Sequence, residues 1–182
     1  MKPYTAVGIT IGVLAGIWTQ VSISLGLITW VAFAAWACFY AAGAKRTGFL
    51  KTLPSNLSGV AYGWLIVWAA GAMGGWPGAL AVCVAVGAFL MCIQANWSVL
   101  SFIPGAFVGT AAFFGTSGNW SGTVIALVAG VSLAWLSGWT ADLLVRATTK
   151  PTITTSVAAT SEDKHSHSTR TELDGSLRKA QI

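Results

Sequence analysis

Residues 52–141 read TLPSNLSGVAYGWLIVWAAGAMGGWPGALAVCVAVGAFLMCIQANWSVLSFIPGAFVGTAAFFGTSGNWSGTVIALVAGVSLAWLSGWTA and contain no Asp, Glu, Lys or Arg. A helix needs about 20 residues to cross the roughly 30 Å hydrocarbon core of a bilayer. The stretch therefore has room for four spans, and Gly, Pro and Asn residues supply breaks at 74–78, 94–98 and 115–122. This pattern predicts an integral membrane protein.

The uncharged run at residues 3–44 has room for two more spans, with a turn near Gln20–Gly26 where polar side chains interrupt the apolar run. The composition, 55% hydrophobic and 8% charged, is also typical of membrane proteins. The sequence therefore predicts an all-α integral membrane protein with six transmembrane helices in three hairpins. A four-span chain, in which residues 3–44 form one long tilted helix plus a re-entrant piece, is the alternative.

The basic residues near the span ends predict the orientation. Six spans place Lys2, the Lys45–Lys51 loop and the Arg146–Lys150 segment on one side of the membrane. Because Lys and Arg near span ends favour the cytoplasm, we expect both termini there in a multi-pass plasma-membrane protein. The apolar run after Lys2 is also too long for a secretory signal.

The polar end of the chain forms a separate region. Residues 148–182 are rich in Ser, Thr and scattered charges and have no apolar periodicity. This composition predicts a disordered cytoplasmic tail after a helical bundle at residues 1–147.

Three short segments suggest an internal repeat. Leu14–Ile17, Leu57–Val60 and Ile103–Ala106 share the order aliphatic, small or Pro, Gly, aliphatic, at intervals of about 45 residues. This spacing suits a two-helix unit and predicts a threefold repeat of hairpins. Chance recurrence in a glycine-rich chain is the alternative.

Glycines four residues apart recur in several predicted spans. Small residues at this spacing let helix backbones approach closely in a membrane. The alternative is a pore lined by backbone at the glycine positions. The predicted helix-packing residues are Gly8, Gly12, Gly16, Gly59, Gly63, Gly105 and Gly109.

The residues that carry enzyme chemistry are missing from the predicted spans. The two histidines, His165 and His167, lie in the tail, and Asp142 is expected to pair with Arg146 one turn later. The sequence therefore predicts no enzyme, no metal site and no cofactor. The net charge of +5 reflects the cytoplasmic flanks, and no nucleic-acid partner is expected.

Polar and aromatic residues around Pro104 suggest a cytoplasmic mouth. A proline inside a span frees the carbonyl one turn earlier, here near Leu100, and bends the helix. The alternative is that the amides cap helix ends and the bend only shapes packing. The predicted pore-lining residues are Gln94, Asn96, Ser101, Phe102, Pro104 and Phe107.

Four segments carry a family resemblance: Gly12–Trp18, Ser24–Trp30, AFLMCIQA at 88–95 and LSFIPGAFVG at 100–109. They resemble a family of small bacterial inner-membrane proteins of unassigned function. That family is similar to the low-CO2-inducible plasma-membrane protein of green algae. The resemblance extends over residues 7–147, and it implies a homotrimeric CO2 channel of a carbon-concentrating mechanism.

The residues themselves restrict the solute. A charge-free bundle does not stabilise an ion at the bilayer centre, whereas a small neutral molecule needs no such help. CO2, ammonia, urea and water all fit this condition. A non-conducting membrane scaffold, whose small-residue faces serve only oligomerisation, is the competing hypothesis. In both cases the expected partners are the lipid bilayer and copies of the same chain.

Overall fold

The computed structural model describes residues 3–148, and side chains from residue 4 onward. This part of the chain contains six α-helices and no strand, as predicted for an all-α protein. Two short 3-10 turns, Gln94–Asn96 and Ser98–Leu100, lie between the fourth and fifth helices. The helices are α1 (Pro3–Ser24), α2 (Thr29–Ala41), α3 (Lys45–Ala72), α4 (Ala79–Ile93), α5 (Ile103–Gly115) and α6 (Trp120–Thr148). The predicted tail beyond Thr148 lies outside the described residues.

The helices are separated close to the positions that the sequence predicts. Gly74 and Gly75, between α3 and α4, have φ angles of 69° and 77°, a region that residues with a Cβ rarely adopt. The turn at residues 25–28 follows α1, and residues 116–119 connect α5 to α6. Local turn chemistry therefore determines these ends.

One predicted loop is wrong. The basic residues Lys45, Arg46 and Lys51 lie within the first two turns of α3, because the chain turns earlier, at Gly43 and Ala44. The backbone at both turn residues has positive φ. As a result α3 has 28 residues, and polar side chains that the loop assignment placed at a helix end lie inside the helix.

Three described segments are long and apolar enough to cross a membrane: Tyr4–Ser24, Ala79–Asn96 and Trp120–Thr148. The apolar helices α2 and α5 have 13 residues each, or about 20 Å at 1.5 Å per residue. The described residues thus show three candidate spans among six helices, and the six-span arrangement stays a prediction.

The buried positions divide the six helices into two halves. Each of the six buried residues of α2 corresponds to a buried residue of α5 at one constant interval, from Val31 and Gly105 to Phe39 and Phe113. Seven buried positions of α3 also match seven of α6 at a constant interval of their own, beginning with Thr52 and Thr123. We call α1–α3 the first half and α4–α6 the second half.

The helix contacts follow the same exchange. Helix α2 packs on α6 as α5 packs on α3, and α1 packs on α6 as α4 packs on α3. At the closest approaches, Gly130 lies against the Ala32 carbonyl and Gly59 against the Ala106 carbonyl. The two halves therefore repeat one packing arrangement.

The threefold hairpin repeat is not confirmed. Its three glycines have different surroundings, because Gly16 is exposed whereas Gly59 and Gly105 are buried.

Candidate functional site

Helices α3 and α5 approach each other closely where they cross. The carbonyl of Asn56 lies against Gly109, so a side chain at that glycine would collide with backbone. The Thr110 hydroxyl donates a hydrogen bond to the Gly59 carbonyl at 2.7 Å and lies 3.3 Å from the Met91 sulfur on α4. Helices α3, α4 and α5 therefore meet in one layer.

A second layer lies one turn toward the amino-terminal ends of α3 and α5. A Cβ atom on Gly105 would lie 3.0 Å from Ser55 Cβ, 3.1 Å from Asn56 Oδ1 and 2.7 Å from the Phe102 ring. On α4, which runs the opposite way, the same step leads from Met91 to Gln94. The absence of a side chain at Gly105 thus leaves room for these groups.

Four polar side chains in this layer and the turn beside it are buried without protein hydrogen-bond partners. We call them the amide cluster: Thr52, Ser55 and Asn56 are 0% exposed, and Gln94 is 4% exposed. The atoms without partners are Thr52 Oγ1, Ser55 Oγ, Asn56 Oδ1 and Nδ2, and Gln94 Nε2. Each such group costs about 1–3 kcal/mol, and native proteins contain few of them. Three of the four lie on one face of α3, and Gln94 follows Met91 by about one turn, so we take the amide cluster as the candidate functional site.

The site is electrically neutral. Among residues 4–148, the buried polar side chains are all Ser, Thr, Asn or Gln. Every charged side chain in this range is exposed or only half-buried. The arrangement offers hydrogen bonds to a small molecule and no counter-ion.

Two of the predicted pore-lining residues lie in the amide cluster or next to part of it. Gln94 belongs to the amide cluster, and the ring of Phe102 lies beside Gly105 within it. Asn96 is exposed and donates to the Ile93 carbonyl at 2.9 Å, which is the capping role that the sequence left open. Ser101 bonds locally to the Ser98 carbonyl at 2.8 Å.

Phe107 lies on the surface of the chain, with 43% of the residue exposed. The buried face of α5 is formed instead by Gly105, Ala106, Gly109 and Thr110. A path that passes the Phe107 ring would therefore run outside this helix bundle.

The predicted position of Pro104 inside a span, where it would free a carbonyl and bend the helix, is wrong. Helix α5 begins at Ile103, so Pro104 occupies its first turn, where the backbone has no helical acceptor to lose. Pro54, which the sequence reasoning passed over, lies inside α3 and leaves the Leu50 carbonyl without its helical donor. The missing backbone hydrogen bond is thus next to Thr52 and Ser55.

Sequence reasoning did not single out Thr52, Ser55 or Asn56 as lining residues. The reason is that Lys45–Lys51 was assigned to a loop. A helix that starts after Lys51 would place these three residues in its first turns, at the helix end. Their spacing was the available signal: positions i, i+3 and i+4 lie on one face of a helix.

The predicted packing glycines fall into two groups. Gly59, Gly63, Gly105 and Gly109 lie on the buried faces of α3 and α5, where an added Cβ would meet atoms within 3.0 Å. An added Cβ would meet no atom within 4 Å on the α1 glycines, which are Gly8, Gly12 and Gly16. Close packing on this face of α1 thus requires another molecule.

The polar groups where α1 and α2 pack on α6 are satisfied by protein hydrogen bonds. The Ser137 hydroxyl lies 2.8 Å from the Tyr40 hydroxyl and accepts a hydrogen bond from Trp36 Nε1 at 3.2 Å. Thr10 donates to the Ser137 carbonyl at 3.1 Å. This network joins α1, α2 and α6, and its hydrogen bonds offset the cost of burying these polar groups.

The expected pair of Asp142 with Arg146 is corrected by the structure. Asp142 Oδ2 lies 4.0 Å from Lys45 Nζ, so the contact joins the end of α6 to the start of α3. Both side chains are exposed, at 55% and 82%, and such pairs contribute little stability. They flank a cavity of about 270 Å³ that Phe39, Tyr40 and other aromatic residues line.

The apolar helices and the neutral interior define the class of a helical membrane protein. The model of a family described as a protein of unknown function, DUF1097, matches residues 8–142, and the chain belongs to this family. The uncharacterized protein YahC of Escherichia coli K12 is 33% identical over 161 residues, covering 82% of this chain and 98% of the relative.

Two further relatives are named inner membrane proteins. YcdZ of Escherichia coli K12 is 35% identical over 134 residues, covering 72% of this chain and 81% of the relative. YcdZ of Salmonella typhimurium LT2 is 35% identical over 123 residues, covering 66% of this chain and 76% of the relative. No solved structure matches. The bacterial part of the resemblance is thus confirmed, and the likeness to the algal protein stays a prediction.

Proposed function

We propose that the protein is a channel rather than an enzyme, and that it passes a small neutral solute, CO2, across the membrane. The observation that supports this proposal is the amide cluster: neutral hydrogen-bonding groups are buried without protein partners inside an apolar bundle. A protein that served only as an anchor would gain stability from apolar residues at these positions.

The neutral interior disfavours ions as the transported species. An ionised side chain at the bilayer centre costs about 2.5–3.5 kcal/mol even on the lenient insertion scale. The described interior has no charged group to offset such a cost for a permeating ion. Neutral CO2, ammonia, urea and water do not require this compensation.

The choice of CO2 rests on the likeness of segments 88–95 and 100–109 to the algal low-CO2-inducible protein. The same likeness supports a role in a carbon-concentrating mechanism and assembly as a homotrimer. Both segments border the amide cluster, because the first contains Gln94 and the second contains Phe102 and Gly105.

We place all six helices across the plasma membrane, with both termini in the cytoplasm. The basic residues at the start of α3 and the end of α6 support this orientation. Reporter fusions at Gly75 and directly after Thr148 test it, since the first should face outward and the second inward. Equal labelling from the cytoplasmic side would exclude the six-span arrangement.

The solute is tested with purified protein in sterol-rich vesicles, whose low background permeability makes a protein-dependent flux visible. Carbonic anhydrase and a pH dye inside the vesicles report CO2 entry by stopped flow. Separate arms measure ammonia, urea, water and bicarbonate. We expect faster CO2 entry than in protein-free vesicles and no change for bicarbonate.

A non-conducting scaffold is the second candidate, and the open glycine face of α1 favours it. Small residues on an exposed helix face suit close association with another copy. The vesicle experiment separates the two candidates, because a scaffold leaves the flux of every solute at the protein-free rate.

A further inference from the structure

The second half shows what the fold requires at the positions of the amide cluster. Ser55 and Asn56 of α3 correspond to Ala126 and Leu127 of α6, and all four are fully buried. Apolar side chains therefore fill the matching places when only packing is needed. The polar residues of α3 carry an unmet hydrogen-bonding cost that the architecture does not impose.

The threonine pair sharpens this contrast. Thr123 on α6 donates to the Asn119 carbonyl at 2.7 Å and lies 2.7 Å from the Thr116 hydroxyl. Thr52, its counterpart on α3, is equally buried and its hydroxyl has no protein partner. The same residue type is thus satisfied in one half and unsatisfied in the other.

We infer that Thr52, Ser55, Asn56 and Gln94 form a binding site for a small neutral molecule that accepts hydrogen bonds through oxygen. The two amide nitrogens are donors and the two hydroxyls can donate, so four of the five unpartnered atoms can donate a hydrogen bond; the fifth, Asn56 Oδ1, accepts. The identification of this molecule as CO2 rests on the proposed function. CO2 offers an acceptor oxygen at each end and no donor.

Close packing bounds the proposed site on the side of α5. The backbones of α3 and α5 touch at Gly59 and Gly109, one turn away, and the Phe102 ring closes another side. Pro54 removes one backbone hydrogen bond from the turn that carries Thr52 and Ser55. Local movement of this turn costs less than in an unbroken helix, which provides a route for entry.

The test replaces Ser55→Ala and Asn56→Leu together, which transfers the α6 residues to the matching places on α3. Gln94→Met is a second, independent variant that keeps side-chain length. Thr123→Val, in the other half, is the control for loss of a buried hydroxyl. The probe is 13C-labelled CO2, whose bound form gives an infrared stretching band separate from that of dissolved CO2.

We expect a bound band in the parent protein and in Thr123→Val. Binding should fall about thirtyfold in each cluster variant, since about two hydrogen bonds of roughly 1 kcal/mol each are lost. The cluster variants should also melt at the parent temperature or above it, because they remove unsatisfied groups. Vesicle flux is measured on the same preparations.

The outcomes separate the site from the channel. A bound band that survives in both cluster variants, or is missing from the parent, overturns the site even if the vesicles conduct CO2. A band that the cluster variants lose supports the site even if no vesicle conducts, and in that case only the channel proposal fails. Lower melting temperatures in both cluster variants with full binding would show that these side chains are structural, and would overturn the site as well.

Discussion

Helices α3 and α6 occupy matching places in the two halves, but they differ in whether their buried polar side chains have hydrogen-bond partners. Helix α3 buries Thr52, Ser55 and Asn56 without protein hydrogen bonds, whereas α6 buries Thr123 and Ser137 with several. Close packing is common to both helices, because each has a glycine against a carbonyl of its partner helix. The difference shows that both halves use a glycine at the closest crossing, and that of these two helices only α3 carries unsatisfied groups.

The largest expected effect comes from the shared glycines. Gly59→Ala and Gly130→Ala should each destabilise the protein by about 1–3 kcal/mol or prevent folding, because the new Cβ collides with a carbonyl. Thermal unfolding in detergent measures the loss, and Gly12→Ala serves as the control in open space. Parent-like melting of either variant would contradict the matched crossings.

A smaller loss is expected when the satisfied network around Ser137 is broken. Ser137→Ala removes a partner from Tyr40 and Trp36 and should cost about 1–2 kcal/mol, since both polar groups stay buried or half-buried. The melting temperature reports it. Tyr40→Phe is the matched control, because it removes one of the two contacts and should lose less. Equal losses would show that the two contacts are not separate.

The same substitution, Thr→Val, can be made at the matching positions Thr52 and Thr123 and compares the two halves directly. Thr123→Val should cost about 1 kcal/mol, whereas Thr52→Val should cost nothing or raise stability, because only Thr123 has hydrogen bonds to lose. Both melting temperatures are read in the same buffer. A larger loss of stability for Thr52→Val than for Thr123→Val would show that the Thr52 hydroxyl has a hydrogen-bond partner. The proposed difference between the two threonines would then be wrong.

The smallest effect is expected on the outer face of α1. Gly12→Leu should leave the unfolding of the single chain unchanged, since nothing lies within 4 Å of that position. Light scattering on the same sample measures the size of any oligomer. A large drop in the melting temperature at constant size would mean that this face packs within the chain.

Much of the helical order was predictable from local signals. Gly and polar clusters favour chain breaks, and the connections after α1, α3 and α5 fall near the expected positions. The start of α3 was not predictable from these signals, because Gly43 and Ala44 turn the chain before the basic residues. Basic side chains suit a loop and an exposed first turn equally well.

The candidate site depends on contacts between helices and was only partly visible in the sequence. Gln94 and Phe102 were predicted as lining residues, but the other polar residues of the site are on α3, about 40 residues earlier. The twofold correspondence was also hidden, since it lies in burial rather than in residue identity. Ser55 with Ala126 and Asn56 with Leu127 look unrelated until both helices are placed.

The correspondence of the halves has a consequence for biogenesis. In the six-span arrangement each half crosses the bilayer an odd number of times, so the second half must insert upside down relative to the first. The start of α3 carries Lys45, Arg46 and Lys51, whereas the start of α6 carries no charge. This asymmetry favours one direction of insertion for the whole chain, because basic residues near span ends favour the cytoplasm.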